Sequence, residues 1–285
     1  MPNTIATFDN IVIDRVVDAW FETKPSDGSV GDLLAVLDQI TNFSINTTSE
    51  TKDKTDAQGV LLKRYFTSKS VEISGENATF SLNLFATQNG TTKVVDTDVI
   101  IPRIYQATIP DSGATITLPE TPEVGTFQLY GTSANGNVDV DKKFTAAAGA
   151  EPVAGATTYV LNGTTLTFPT SLSAGDVIQI KYDRKVTGAT KAARVNVAGD
   201  KFPKECKATF RVLCSDLCNS EEVYALYIVF EKFQMSPDFD WTVDTESNQS
   251  FSATAFKDYC GKGQTLYWIA IADDTDSYDT KKWSE

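Results

Sequence analysis

Two periods compete along this chain, and the period of two prevails. The first stretch with a clear period is residues 29–40. There Val30, Leu33, Leu34, Leu37 and Ile40 have the spacing of one helix face. Ser29, with Asp32 three residues on, resembles a capping box, so one short helix is predicted here. From Phe43 the period changes to two: Phe43, Ile45 and Thr47 share one face, Ser44 and Asn46 the other. The polar run 48–58, closed by Gly59, reads as a loop and residues 60–66 as a strand. Residues 68–72 and 79–86 read as a hairpin around Ser74-Gly75-Glu76-Asn77, and Gln88-Asn89-Gly90 as a further turn. Strand-like segments continue over 94–107, with Pro102 marking an edge or a bulge.

Pro110, Pro119 and Pro122 punctuate a boundary. Beyond it the sequence lightens to Gly, Ala, Thr and Asn between short strands at 126–130, 157–161, 164–168 and 177–182. Asn162-Gly163 joins two of them as a two-residue hairpin, and Ser173-Ala174-Gly175-Asp176 is another turn. The heavier pattern returns at Phe202, with strands at 206–213, 223–235, 249–255 and 266–272. Residues 238–244 also alternate and are expected to pair with 249–255 through a turn near Ser247-Asn248. In 223–235 both faces are apolar, which marks a central strand covered on both sides. The expected organisation is mainly β: a discontinuous core, 1–119 and 198–285, and an inserted small β-sandwich module, 120–197.

Composition narrows the function. The 285 residues are 41% apolar, enough to build a core. The formal charge of −13 disfavours nucleic-acid binding, which needs Lys and Arg to displace counterions. No basic segment leads into an apolar run at the start, and no run approaches the ~20 residues of a membrane helix. The expectation is a protein made in the cytosol with no membrane partner. Histidine is absent, which removes the usual general base and the commonest metal ligand.

The remaining chemistry is thin. Cys214 and Cys218 have a zinc-like spacing, but Cys206 and Cys260 complete no pair and there is no histidine. Free thiols and no metal are expected. Asp273, Asp274, Asp276 and Asp279 fail the calcium-loop pattern, because its glycine position is acidic. Asp238, Asp240, Trp241 and Asp244 would suit a sugar site or a glycosidase acid pair, but a strand with Phe239, Trp241 and Val243 on one face produces the same run. No phosphate loop or nucleophile elbow occurs. No catalytic, cofactor-binding or metal residue is assigned, and no cofactor.

The outer segments resemble bacteriophage major tail proteins, the subunits of tail tubes. In the first, Ile40-Thr-Asn-Phe-Ser-Ile-Asn46 leads through Lys54-Thr-Asp-Ala-Gln-Gly59 to Val71-Glu-Ile-Ser-Gly-Glu-Asn-Ala-Thr-Phe-Ser-Leu-Asn-Leu-Phe85. In the last, the long strand precedes Pro237-Asp-Phe-Asp-Trp-Thr-Val243 and Asn248-Gln-Ser-Phe-Ser-Ala-Thr-Ala255. The light module lies outside the resemblance and looks like the Ig-like decorations of phage structural proteins. The resemblance implies a tail-tube-like β-sandwich or barrel core and a non-enzymatic virion protein. Such a subunit closes into hexameric rings that stack as a conduit for DNA, which passes without specific binding, and the polar run 48–58 would suit contacts between subunits or rings. Sheath, terminator, tape-measure and baseplate proteins are the implied further partners. The alternatives are a surface module recognising host carbohydrate or another virion protein, a different structural part of the virion, or a carboxylate-based hydrolase.

Overall fold

The computed structural model describes residues 11–25, 29–95, 99–111, 114–133, 135–186, 191–217, 223–240, 244, 248–257 and 265–272. The chain forms two compact units, Met1–Lys93 with Val195–Glu285, and Val94–Arg194. The first contains β1 (Ile11–Thr23), β2 (Leu33–Leu37), β3 (Ile40–Thr55), β4 (Leu61–Asn77) and α1 (Leu82–Gln88). After the second unit it resumes with β12 (Cys206–Asp216), β13 (Val223–Met235), β14 (Gln249–Ala255) and β15 (Trp268–Ala272). Among the described residues these strands form one antiparallel sheet in the order β2-β1-β12-β13-β14-β4-β3, with β15 also paired to β13. β1 contacts β3 across this sheet, so the sheet curls into a half-barrel.

The core follows from alternation. Phe21, Phe210, Phe230, Phe233 and Phe251 are buried together in one core cluster. Phe210 meets Phe21 and Phe230 edge-on, at 5.9 Å between centroids in each case. β13 spans the predicted 223–235; residues on both of its faces are largely buried, and β12, β14 and β15 pair with it along its edges.

Sequence expectations give way at three places. Residues 29–40 hold no helix. Ala35 and Leu37 alternate inward, and β2 is drawn into the sheet by Phe21↔Ala35 and Ala19↔Leu37. Asp32 caps nothing; its amide donates to Thr23 Oγ1 at 2.8 Å. The helix is α1, inside the segment expected to form a hairpin strand. Ser81 is its N-cap, accepting from Leu84 N at 3.3 Å. Its C-terminal turn ends at Gly90, where φ is +63° and a side chain would strike the Phe202 backbone. The apparent turn at Ser74-Gly75-Glu76-Asn77 is β4 running on, paired to β14 through Asn77↔Gln249 and Val71↔Ala255. The polar run 48–58 is mostly strand, with a turn confined to about 56–60.

The second unit contains β5 (Val99–Thr108), β6 (Thr115–Thr117), β7 (Gln128–Thr132), β8 (Val138–Ala146), β9 (Thr158–Asn162), β10 (Thr165–Thr167) and β11 (Val177–Val186). Its path is β5-β11-β7-β8-β9-β10-β6. The unit begins at Val94 rather than at 120, because β5 pairs with β11 over its whole length, from Val99↔Val186 to Thr108↔Val177. Pro102 lies on that terminal strand, where a missing amide donor is harmless. An immunoglobulin-like sandwich has two separately bonded antiparallel sheets. This path is continuous and includes a parallel step, Thr145↔Thr158 and Ala146↔Tyr159, so the pairing does not carry the Ig-like description. Leu129, Leu166, Ile178, Ile180 and Tyr182 form its buried centre.

Candidate functional site

The feature that departs most from an ordinary surface is the hairpin of β3 and β4. Their strands are 16 and 17 residues long. Among the described residues, residues 71–77 of β4 pair with β14, whereas residues 61–70 pair with β3 alone. At about 3.3 Å per residue, this free length projects roughly 30 Å from the sheet. From 46 to 70 every residue is exposed except Asp56, which is half-buried.

Local chemistry sets the turn. Asp56 Oδ1 accepts from Gln58 N at 2.9 Å and Val60 N at 2.8 Å, and Asp56 N donates to Val60 O at 2.9 Å. Gly59 supplies the positive φ of +83° that this tight reversal needs. Further down the arm, the Thr48 and Ser70 hydroxyls meet at 2.7 Å. A two-stranded hairpin is marginal alone in water, yet this one displays Val60, Leu61, Leu62, Tyr65 and Phe66, with Phe66 75% exposed. That apolar surface is unusual for a monomer and characteristic of a contact site.

Other surfaces of the same unit point the same way. β15 pairs only with β13 among the described residues, and it exposes Trp268 and Ile269. An open, apolar edge strand invites pairing with another chain. A hollow of about 610 Å³ opens between β1 and β3, lined by Ile13, Val16, Phe43, Ile45, Leu226 and Ile228 among others.

The residues weighed for chemistry scatter. Cys206 and Cys214 are buried in the core, while Cys218 and Cys260 lie outside the described residues. Burial pushes the Cys206 thiol up to about 12 and raises Cys214 as well. Among the described residues, no group of three or more His, Cys, Asp or Glu is placed to hold a metal ion. Asp238 and Asp240 sit in irregular backbone, not in a strand, and line a shallow cleft with Glu76. Asn42 and Asn248 each donate to Glu76 Oε2 at 3.0 Å. Trp241 and the expected turn at Ser247 lie outside the described residues, as do Asp273, Asp274, Asp276 and Asp279. No helix among the described residues is long and apolar enough to cross a membrane.

In the second unit, Glu120 gathers three donors. Arg103 Nη1 reaches its two oxygens at 2.5 and 2.7 Å, Arg184 Nη1 donates to Oε1 at 2.6 Å and Tyr182 Oη to Oε2 at 3.0 Å. Burial alone would raise this carboxyl. The Tyr182 hydroxyl and the two guanidiniums outweigh it and hold Glu120 below the usual range. Tyr182 is pushed up to about 12 by burial and by its bond to Glu120. The cluster ties β5 and β11 to the segment before β7, a structural role.

What these units define is a mainly β chain whose first unit carries an exposed arm and, among the described residues, an open sheet edge at β15. The chain belongs to the YomU/Tube protein family, whose model matches residues 12–269, nearly the whole sequence. Comparison with curated proteins finds no match.

Proposed function

We propose that this chain is the structural subunit of a phage tail tube, a virion protein without catalytic function. Copies close into hexameric rings, and the rings stack into a conduit through which DNA passes unbound. The observation that carries this reading is the arm of β3 and β4, whose exposed apolar residues call for another subunit to cover them. Family membership and the open edge of β15 support it. Ring closure pairs edges that a monomer leaves open.

The excess of acids, 38 against 25 bases, suits a lumen that repels phosphate instead of gripping it. Sheath, terminator, tape-measure and baseplate proteins are the further partners proposed. Electron microscopy of the purified protein, beside a variant whose residues 49–68 are replaced by a short turn, tests the reading. The intact protein is expected to form rings or tubes, and the armless variant to remain a folded monomer.

A second reading applies to the unit Val94–Arg194 by itself. Register aligns Gln106, Gln179, Tyr130 and Lys143 in one row across β5, β11, β7 and β8, with Lys143 Nζ 5.8 Å from the Tyr130 ring centre. With Gln106 and Lys143 exposed, Tyr130 half-buried and Gln179 buried between them, the row suits a glycan or another virion protein through Gln106, Tyr130 and Lys143. Binding to a glycan panel that Tyr130→Ala abolishes would support it.

A further inference from the structure

Register places Lys54 of β3 directly opposite Lys63 of β4, with Lys52 opposite Tyr65 on the same face. Like charges set opposite each other weaken a strand pair. Among the described residues, none of Lys52, Lys54 and Lys63 has an ion-pair partner; Lys63 Nζ instead lies 5.0 Å from the Tyr65 ring centre. The other face of the same hairpin is closed on itself. There Arg64 donates to Asp53 through Nε at 2.8 Å and Nη2 at 2.9 Å. The arm therefore neutralises one face internally and leaves three ammonium groups uncompensated on the other.

The contrast extends to the whole chain. Residues 44–70 carry five bases (Lys52, Lys54, Lys63, Arg64, Lys69) and three acids (Glu50, Asp53, Asp56), a net +2. Subtracting them from the chain's 25 bases and 38 acids leaves 20 and 35, a net −15, for everything else. The arm is a cationic projection from an acidic protein, and a second copy supplies the complementary charge.

We infer that the face formed by Lys52, Lys54, Lys63 and Tyr65 receives carboxylates of a second copy of this chain, and that this contact sets the hairpin tip. The inference rests on the tube reading and gives the arm its partner chemistry. Carboxylates laid over the Lys54–Lys63 pair relieve its repulsion, so tip ordering and subunit contact reinforce each other. The free subunit lacks that support and does not lock its arm early.

Lys54→Glu separates this from a role in the hairpin alone. The carboxylate it introduces would face Lys63 as an opposite-charge pair and steady the isolated arm, while the face drops from three positive charges to a net of one. The expected result is slower amide exchange at the arm tip of the free subunit, together with a critical concentration for assembly raised about tenfold. Lys54→Gln, which creates no new pair, should weaken assembly by a smaller factor. Wild-type assembly should weaken as salt rises, since these contacts are exposed and screened.

Assembly of Lys54→Glu equal to or better than wild type would overturn the inference while leaving the tube reading intact. So would retention of a short DNA duplex by the wild-type arm, lost in Lys54→Glu with assembly unchanged, because the face would then be a nucleic-acid surface. A wild-type chain that stays monomeric at every concentration and salt would overturn the tube reading itself.

Discussion

The ring of Phe251 lies across Gly75, its direct partner on β4, so closely that a Cβ at position 75 would stand 2.6 Å from Phe251 Cζ. This contact lies within the stretch of β4 that pairs with β14, four residues beyond the point where the arm leaves the sheet. Phe251 stacks in turn on Phe210 at the centre of the core, at 6.4 Å between centroids. A missing side chain on one strand thus lets an aromatic on the next close the core. Gly75→Ala is expected to destabilise the first unit by about 1–3 kcal/mol through overpacking. Chemical denaturation read by near-ultraviolet circular dichroism measures it, and an unchanged midpoint would contradict the packing described.

A second prediction concerns the inserted unit. Val94 N donates to Arg194 O at 2.8 Å and Arg194 N to Val94 O at 2.9 Å. Such a reciprocal antiparallel pair brings the two Cα atoms to about 5.5 Å, so the unit leaves and returns at one point. Joining Lys93 to Val195 by a short Gly/Ser linker should leave a chain with one cooperative thermal transition. Excising only residues 122–197 should instead aggregate, because it leaves β5 without β11 and β6 without β10. Calorimetry of both deletions decides; loss of the transition in the first would contradict the division.

A third prediction follows from Glu120. Its carboxyl is held low in the folded unit, so the stability it contributes is present above the ordinary carboxylate range and is lost as the pH falls through its depressed value. Glu120→Gln should cost about 1–3 kcal/mol near neutrality, since two guanidiniums lose their counter-charge and one of the two acceptor oxygens becomes an NH2 group. It should also flatten the dependence of the unit's melting temperature on acid. Tyr182 works at the other end. Its value is raised from 10.0 to about 12, so its contribution is complete below pH 10 and fades as the pH approaches about 12. Tyr182→Phe should remove that alkaline loss. Parallel melting curves in either variant and wild type would contradict the network.

Burial and a raised thiol value make Cys206 inert. Iodoacetamide at pH 8 should leave it unmodified in the native protein and label it only when the first unit unfolds. Rapid labelling under native conditions, located by peptide mass, would contradict its place in the core.

How far the sequence foretold this depends on whether a strand has a dry face. Gln249–Ala255 and Val177–Val186 largely alternate against a core and Val223–Met235 is apolar on both faces, and their strands were legible to within a few residues. The arm was not. Thr48, Ser49, Glu50, Thr51 and Lys52 stand in water on both faces, so no apolar period marks them; cross-strand bonds, not burial, make them a strand. β1 escaped notice for a related reason, since its first half, from Val12 to Arg15, is exposed. Residues 29–40 misled in the opposite sense: spacing that fits a helix also places Ala35 and Leu37 on one side of a strand, and pairing with β1 decided between them. Around Ser81, period-two residues concealed a cap and a seven-residue helix, held down by a donation of 2.8 Å from Gln88 Nε2 to Ser250 O. The candidate site was therefore legible only in part: residues 48–58 read as a polar loop suited to contacts between subunits, but nothing in their pattern showed the strand pairing that makes them a projecting arm.

Self-assembly through the arm is the proposal on which the others depend. Negative-stain electron microscopy of the purified full chain tests it, with light scattering on the same sample over a range of concentrations and salts. Rings of uniform diameter or stacked tubes are expected from the intact chain. A monodisperse monomer at high concentration under every salt condition would contradict it.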